Sequence, residues 1–293
     1  MNSPRKRVAL VIGSGSVKCA AAIGIQKALA RAGIGLDMVV GCSGGAIYAA
    51  VIAAGHQADA AAEMTGRLWT REVASKRNRR ALLSMLAPRW FGFRPEAFGM
   101  RDDTLIMQRL REGFGTRRIE DMAIPLHITA TDFSNGEQVT LSSGSVVDAL
   151  RASIAMPFAF APVRLDGKLL TDGYLSDPMP VGVAVRQGAD VIIAAGFEAQ
   201  NQSSISSASR FAFQLNTIMS NNLLKTNFAF HSLAHHGEVI AIIPEFKERV
   251  RLFDTSKIPY VIEVGERAVE EQLPYLRELL GTEPLPATAP VTA

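Results

Sequence analysis

Gly41-Cys42-Ser43-Gly44-Gly45 is the stretch on which the fold of this chain turns. It follows an apolar run, Met38-Val39-Val40, and leads into Ala46-Ile47-Tyr48-Ala49-Ala50-Val51-Ile52-Ala53-Ala54, a small-residue helix. Strand, Gly-x-Ser-x-Gly and helix in that order make the setting of a nucleophile elbow. The residue types follow from sterics. A serine held in so sharp a strand-to-helix turn needs small flanks, here Gly41 and Gly45, because side chains there would clash. The turn lifts the hydroxyl clear of the sheet and sets it at a helix N-terminus, where backbone N–H groups favour developing negative charge. Gly-rich strand–helix turns also serve packing alone. Ser43 is therefore a candidate nucleophile that needs partners before it makes a site.

Outward from the elbow, the chain reads as strand alternating with helix. Val8–Ile12 is an apolar strand, followed by a Gly/Ser loop, a helix over about 19–32 and a stop at Gly33. With the strand at 38–41 and the elbow helix, the βαβα order implies a mostly parallel sheet covered by helices on both faces. This is a single-domain α/β three-layer sandwich. The segment 63–115 reads as helical with an irregular middle at Ala87–Pro95. Strand 126–131, the turn Asp132-Phe133-Ser134-Asn135-Gly136 and the return at 137–141 suggest a hairpin. A helix over 145–154, a strand pair around Asp166-Gly167, helix 181–187 and strand 190–196 follow. The remainder reads as helix 205–236, strand 238–243 and one amphipathic helix over 265–280. The domain is expected to span 1–280, with 281–293, rich in Pro, Ala and Thr, as a disordered tail.

Composition bounds the function. A chain of 293 residues, 48% of them hydrophobic, can bury one large core. A net charge of +3 makes no electrostatic demand for nucleic acid. The two cysteines, Cys19 and Cys42, suit a reduced compartment better than a disulfide framework. Arg5-Lys6-Arg7 before Val8–Ile12 imitates a signal peptide, but the apolar run is short and closes at Gly13-Ser14-Gly15-Ser16. With no long apolar span in the sequence, the expectation is a soluble, cytoplasmic protein.

A serine nucleophile needs a base. The five histidines, His56, His127, His231, His235 and His236, sit in no recognisable catalytic setting, and His231 with His235 has no carboxylate motif to make a metal site. Only one βα unit precedes Ser43, which argues against an α/β-hydrolase with its late histidine. Thr171-Asp172-Gly173-Tyr174, after the strand-like Lys168-Leu169-Leu170, is the better lead, although an Asp-Gly turn alone is common. Here the chain resembles the patatin-like phospholipases. The marks are a Gly/Ser loop with a basic residue after the first strand, the Gly41–Gly45 elbow, and Asp-Gly after a later strand. Between them run Thr129-Ala130-Thr131-Asp132, Ala149–Pro157 and Phe160-Ala161-Pro162-Val163. The resemblance covers residues 8 to about 200.

The resemblance implies a Ser-Asp dyad, with Ser43 as nucleophile and Asp172 as direct base, acting on fatty acyl esters of phospholipids or lysophospholipids. It implies no cofactor and no metal. Backbone N–H groups near Gly15 and Ser16 would hold the oxyanion, and Lys18 would support that loop or orient a headgroup. The loop departs from the family pattern Gly-x-Gly-x-x-Gly. Aligned on Lys18, the three glycines become Ser14, Ser16 and Cys19. A left-handed backbone at Ser16 would cost about 1–2 kcal/mol. That departure motivates a second reading, a catalytically weak regulator that binds lipid or protein; a third is acyl transfer to an acceptor other than water. Arg71, Lys76, Arg77, Arg79 and Arg80, followed by Trp90, Phe91 and Phe93, read either as a solvated helix and core or as a peripheral membrane contact. The apolar residues of Phe211–Met219 read as core rather than as an acyl groove.

Overall fold

The computed structural model describes residues 5–56, 58–68, 98–198, 205–234, 237–251 and 254–281. In chain order the elements are β1 (Val8–Ile12), a 3-10 turn (Ser16–Ala20), α1 (Ala21–Arg31), β2 (Met38–Cys42), α2 (Gly44–Ala53), α3 (Ala58–Leu68) and α4 (Thr104–Phe114). There follow β3 (Leu126–Asp132), β4 (Gln138–Leu141), α5 (Val146–Ser153), β5 (Val163–Leu165) and β6 (Lys168–Asp172). The last are α6 (Val181–Arg186), β7 (Val191–Ala195), α7 (Ala208–Ala234), β8 (Glu238–Ile242), α8 (Ile258–Glu270) and α9 (Leu273–Leu280). The basic cluster at 71–80, the aromatics at 90–93 and the tail from 282 lie outside the described residues.

The strands form one mixed sheet in the order β5-β6-β3-β2-β1-β7-β8, with β4 also on β3. β8, β7, β1, β2 and β3 run parallel. β4, β6 and β5 join antiparallel. Burial on both faces explains why β1, β2 and β7 are apolar without a break. In β1, Val8, Leu10 and Ile12 pack into the larger core with α1, α2, α5 and α8, while Ala9 and Val11 face Val181, Val183 and Leu224 of α6 and α7. Helices thus cover both faces, the three-layer α/β sandwich that the strand–helix alternation implies. All ten residues of α2 are buried, which is what a helix apolar on every side requires.

Two local rules place the later elements. The β5–β6 turn uses Asp166 and Gly167, with φ of +48° and +77°, the pair of positive values of a two-residue type I′ hairpin. The single helix expected over 265–280 is two helices, α8 and α9. Pro274 lacks an N–H and its ring would strike the carbonyl of Glu270, where α8 ends. No helix among the described residues is long and apolar enough to cross a membrane.

One feature of the topology sets up the site. β4 pairs with Ile128–Thr131 along one edge of β3. β2 takes the first half of the opposite edge and stops with Cys42 beside Thr129. β6 takes the second half, arriving from the other direction with Asp172 beside Ala130. The C-terminal ends of β2 and β6 therefore meet head to head inside the sheet.

Candidate active site

Ser43 stands where β2 ends and α2 begins, with φ +55° and ψ −129°, a conformation that costs a non-glycine residue on the order of 1–3 kcal/mol. The surroundings impose it. A Cβ at Gly41 would lie 2.5 Å from Ala46 Cα, and one at Gly45 would lie 2.4 Å from the Gly13 carbonyl oxygen. Neither flank has room for a side chain. The Ser43 N–H donates to Ser153 Oγ at 2.9 Å, and Ser153 in turn donates to the Thr129 carbonyl at 2.7 Å. The fully buried Ser153 thereby ties the elbow to β3.

The Ser43 hydroxyl donates to Asp172 Oδ2 at 2.7 Å. The other carboxylate oxygen accepts from the Tyr174 N–H at 3.1 Å, and the Asp172 N–H donates to the Ala155 carbonyl at 3.1 Å. Only 1% of Asp172 is exposed. Burial pushes its pKa up from 3.8 to about 7, against the opposing pull of the Ser43 and Tyr174 hydrogen bonds. An aspartate in this setting is a far better proton acceptor near neutral pH than one in water.

The β1 loop closes over the elbow. Its Gly13 N–H donates to the Ala195 carbonyl at the end of β7 and its Ser14 N–H to the Pro178 carbonyl just before α6, which pins the loop at two points. Ser16 has φ +52°, the left-handed value that the missing glycine would have carried at no steric cost. Gly44 packs directly on the Ser16 backbone. Lys18 is buried and does not line the cavity that holds Ser43. Its Nζ donates to the Glu198 carbonyl at 2.9 Å and lies 5.4 Å from the Phe246 ring centre, and burial lowers its pKa.

Ser43, Asp172, Gly15 and Ser16 line one cavity of about 110 Å³. The apolar part of its wall is Ile154, Met156, Phe160, Phe197 and Phe213. No histidine of the described residues lines it. His127 is buried elsewhere, with Nδ1 2.7 Å from Ser142 Oγ, and burial lowers its pKa. Among the described residues no group of three His, Cys, Asp or Glu side chains is placed to hold a metal. Both cysteines are free and buried.

The reading of Phe211–Met219 as core needs correction. Phe213, Asn216 and Thr217 line the cavity, while Phe211, Leu215 and Met219 are 55%, 46% and 67% exposed. Apolar spacing gives a helix face but not what that face meets. Ser153 was missed for a related reason. It sits in the Ala149–Pro157 run, yet a lone serine at a helix end carries no pattern of its own.

A family model described as patatin-like phospholipase matches residues 10–185. The chain belongs to the patatin-like phospholipase family. The matched segment contains Ser43 and Asp172 and ends before α7. An uncharacterized NTE family protein of Mycobacterium tuberculosis is 34% identical over 192 residues, covering 66% of this chain and 49% of the relative. Patatin-like phospholipase domain-containing protein 6 of Homo sapiens is 27% identical over 201 residues, covering 68% of this chain and 14% of the human protein. The chain thus spans about half the length of its mycobacterial relative. The crystal structure of VipD from Legionella pneumophila superposes with a TM-score of 0.45 at 15% identity, over 93% of this chain and 67% of VipD.

Proposed function

We propose that the protein is a serine acyl hydrolase that cleaves fatty acyl esters of phospholipids or lysophospholipids through a Ser43–Asp172 dyad. The observation that carries this reading is the 2.7 Å hydrogen bond from a strained elbow serine to a buried aspartate whose pKa stands near 7. Ser43 Oγ attacks the ester carbonyl carbon and its proton passes to Asp172 Oδ2. The carbonyl oxygen becomes an oxyanion, held by the N–H groups of Gly15 and Ser16 and favoured by the N-terminus of α2. The tetrahedral intermediate collapses, the C–O bond to the alcohol breaks, and the alcohol leaves with the proton from Asp172. Water then attacks the acyl-Ser43 ester, again giving its proton to Asp172. The fatty acid departs as Ser43 recovers its hydrogen.

The apolar wall of Ile154, Met156, Phe160 and Phe197 suits an acyl chain. Lys18 supports the β1 loop through its hydrogen bond to the Glu198 carbonyl and is assigned no contact with lipid. Ser14, Ser16 and Cys19 at the glycine positions favour a second reading on the same fold, a lipid- or protein-binding regulator. A fluorophosphonate probe separates the two. Hydrolase chemistry requires labelling of the wild type and none of Ser43→Ala, with turnover of a fatty acyl ester falling by about 10³-fold or more in the variant. Folded wild-type protein that takes no probe and turns over no ester fits the regulator instead.

A further inference from the structure

Among the described residues, two buried phenol hydroxyls have no hydrogen-bond partner, those of Tyr48 and Tyr174. Tyr48 sits within α2, inside the hydrophobic core. Tyr174 lines the cavity that holds Ser43 and Asp172. Only 8% of Tyr174 is exposed, and its hydroxyl oxygen is enclosed. The acid sets its place. Tyr174 stands in the 3-10 turn Gly173–Leu175, which Asp172 opens, and its own N–H donates to Asp172 Oδ1 at 3.1 Å. Burial, and after it the nearby Asp172 carboxylate, raise the pKa of the phenol, which therefore keeps its proton at neutral pH. A phenylalanine would fill the same space without enclosing an unpaired donor. A hydroxyl retained there calls for a partner that arrives with function.

The reaction says which partner. While Ser43 is free, its hydroxyl occupies Asp172 Oδ2 at 2.7 Å. Once acylated, Ser43 has no hydrogen to give, and Oδ2 loses its donor. The acyl-enzyme then holds two idle groups, a carboxylate oxygen that accepts and a phenol that donates. One water molecule answers both, accepting from Tyr174 and donating to Asp172, and a cavity of about 110 Å³ has room for it. We propose that the Tyr174 hydroxyl holds the water that hydrolyses the acyl-Ser43 ester. This role rests on the hydrolase reading. One lone pair of the water accepts from Tyr174, which leaves the other for the acyl carbon. The water oxygen bonds to that carbon as one of its protons passes to Asp172 Oδ2. The bond from the carbon to Ser43 Oγ then breaks, Ser43 takes the proton back from Asp172, and the fatty acid leaves. Tyr174 keeps its own proton throughout. Its contribution is to hold the nucleophile in line, which replaces a collision by an attack within one complex.

Tyr174→Phe removes the hydroxyl and nothing else. With p-nitrophenyl octanoate as substrate, rapid-quench samples read by intact mass give the rates at which the octanoyl-enzyme forms and decays. Deacylation should slow about tenfold while acylation stays within about twofold of wild type, so that the octanoyl-enzyme accumulates in the variant. The variant should also melt no lower than wild type, because no hydrogen bond within the protein is lost. Equal slowing of both steps, or no change in either, overturns the role. A melting temperature several degrees lower overturns it too, since it would show the hydroxyl paired within the fold. Wild-type protein that neither forms an octanoyl-enzyme nor releases p-nitrophenol fails one step earlier: it removes the hydrolase reading, and the deacylation role with it.

Discussion

Two loops leave neighbouring parallel strands at the same end of the sheet, and each holds a serine in a left-handed turn. The β1 loop puts Ser16 at φ +52°, the β2 elbow puts Ser43 at φ +55°, and Ile12 is in register with Gly41 between them. Their chemical positions differ because of what arrives from the next strand. Around the β1 loop, β7 runs alongside in parallel and contributes the Ala195 carbonyl and then the Phe197 side chain against Gly15. Around the elbow, β2 yields its edge of β3 to β6, which comes from the opposite direction and delivers Asp172. A strained serine is a geometry. The chemistry proposed for Ser43 comes from the strand that ends against it.

The largest effect should come from removing the delivered acid. Asp172→Asn keeps the size of the side chain but not its basicity, and should lower kcat/KM by about 10³-fold or more while leaving the fold intact. It should also be more stable than wild type above neutral pH. The folded pKa of Asp172, about 7, lies above its ordinary 3.8. The carboxyl therefore favours folding at pH below about 3.8, and this contribution is lost as pH rises through about 7. The stability advantage of Asp172→Asn should thus grow from pH 4 to pH 8, to a limit on the order of 4 kcal/mol. Thermal unfolding of both proteins at several pH values measures it. An advantage that does not change with pH would mean that Asp172 is not buried as a carboxylate against Ser43.

The same titration predicts the rate. A base with a pKa of about 7 is about 1% ionised at pH 5, so kcat/KM should fall about 100-fold between pH 8 and pH 5. A flat profile over that range would assign the proton to another group and would break the contrast between the two loops.

Ser153→Ala removes the acceptor of the Ser43 N–H and should cost about tenfold in rate, without abolishing probe labelling. An effect as large as that of Ser43→Ala would move Ser153 from positioning to chemistry. The smallest change should be Ser16→Gly. It keeps the backbone N–H, relieves a left-handed serine by about 1 kcal/mol, and should alter the rate by less than about threefold. A loss of several hundredfold would place the Ser16 hydroxyl in the reaction and make the two loops alike.

Much of this was legible in the chain. Apolar runs without interruption at 8–12, 38–42 and 191–195, each joined to a helix, give a buried parallel sheet, and small residues throughout α2 give a helix with no exposed side. The elbow glycines follow from the backbone atoms they touch, and Ser43 and Asp172 each stand out through a short local pattern. Tertiary structure decided the rest. The meeting of those two side chains, 129 residues apart, depends on two strands sharing one edge of β3, and no local pattern encodes an edge shared end to end. The pKa of Asp172 is a property of burial, which exists only in the folded chain. The two faces of α7 have similar spacing in the sequence, and only packing separates the one that lines the cavity from the one left outside.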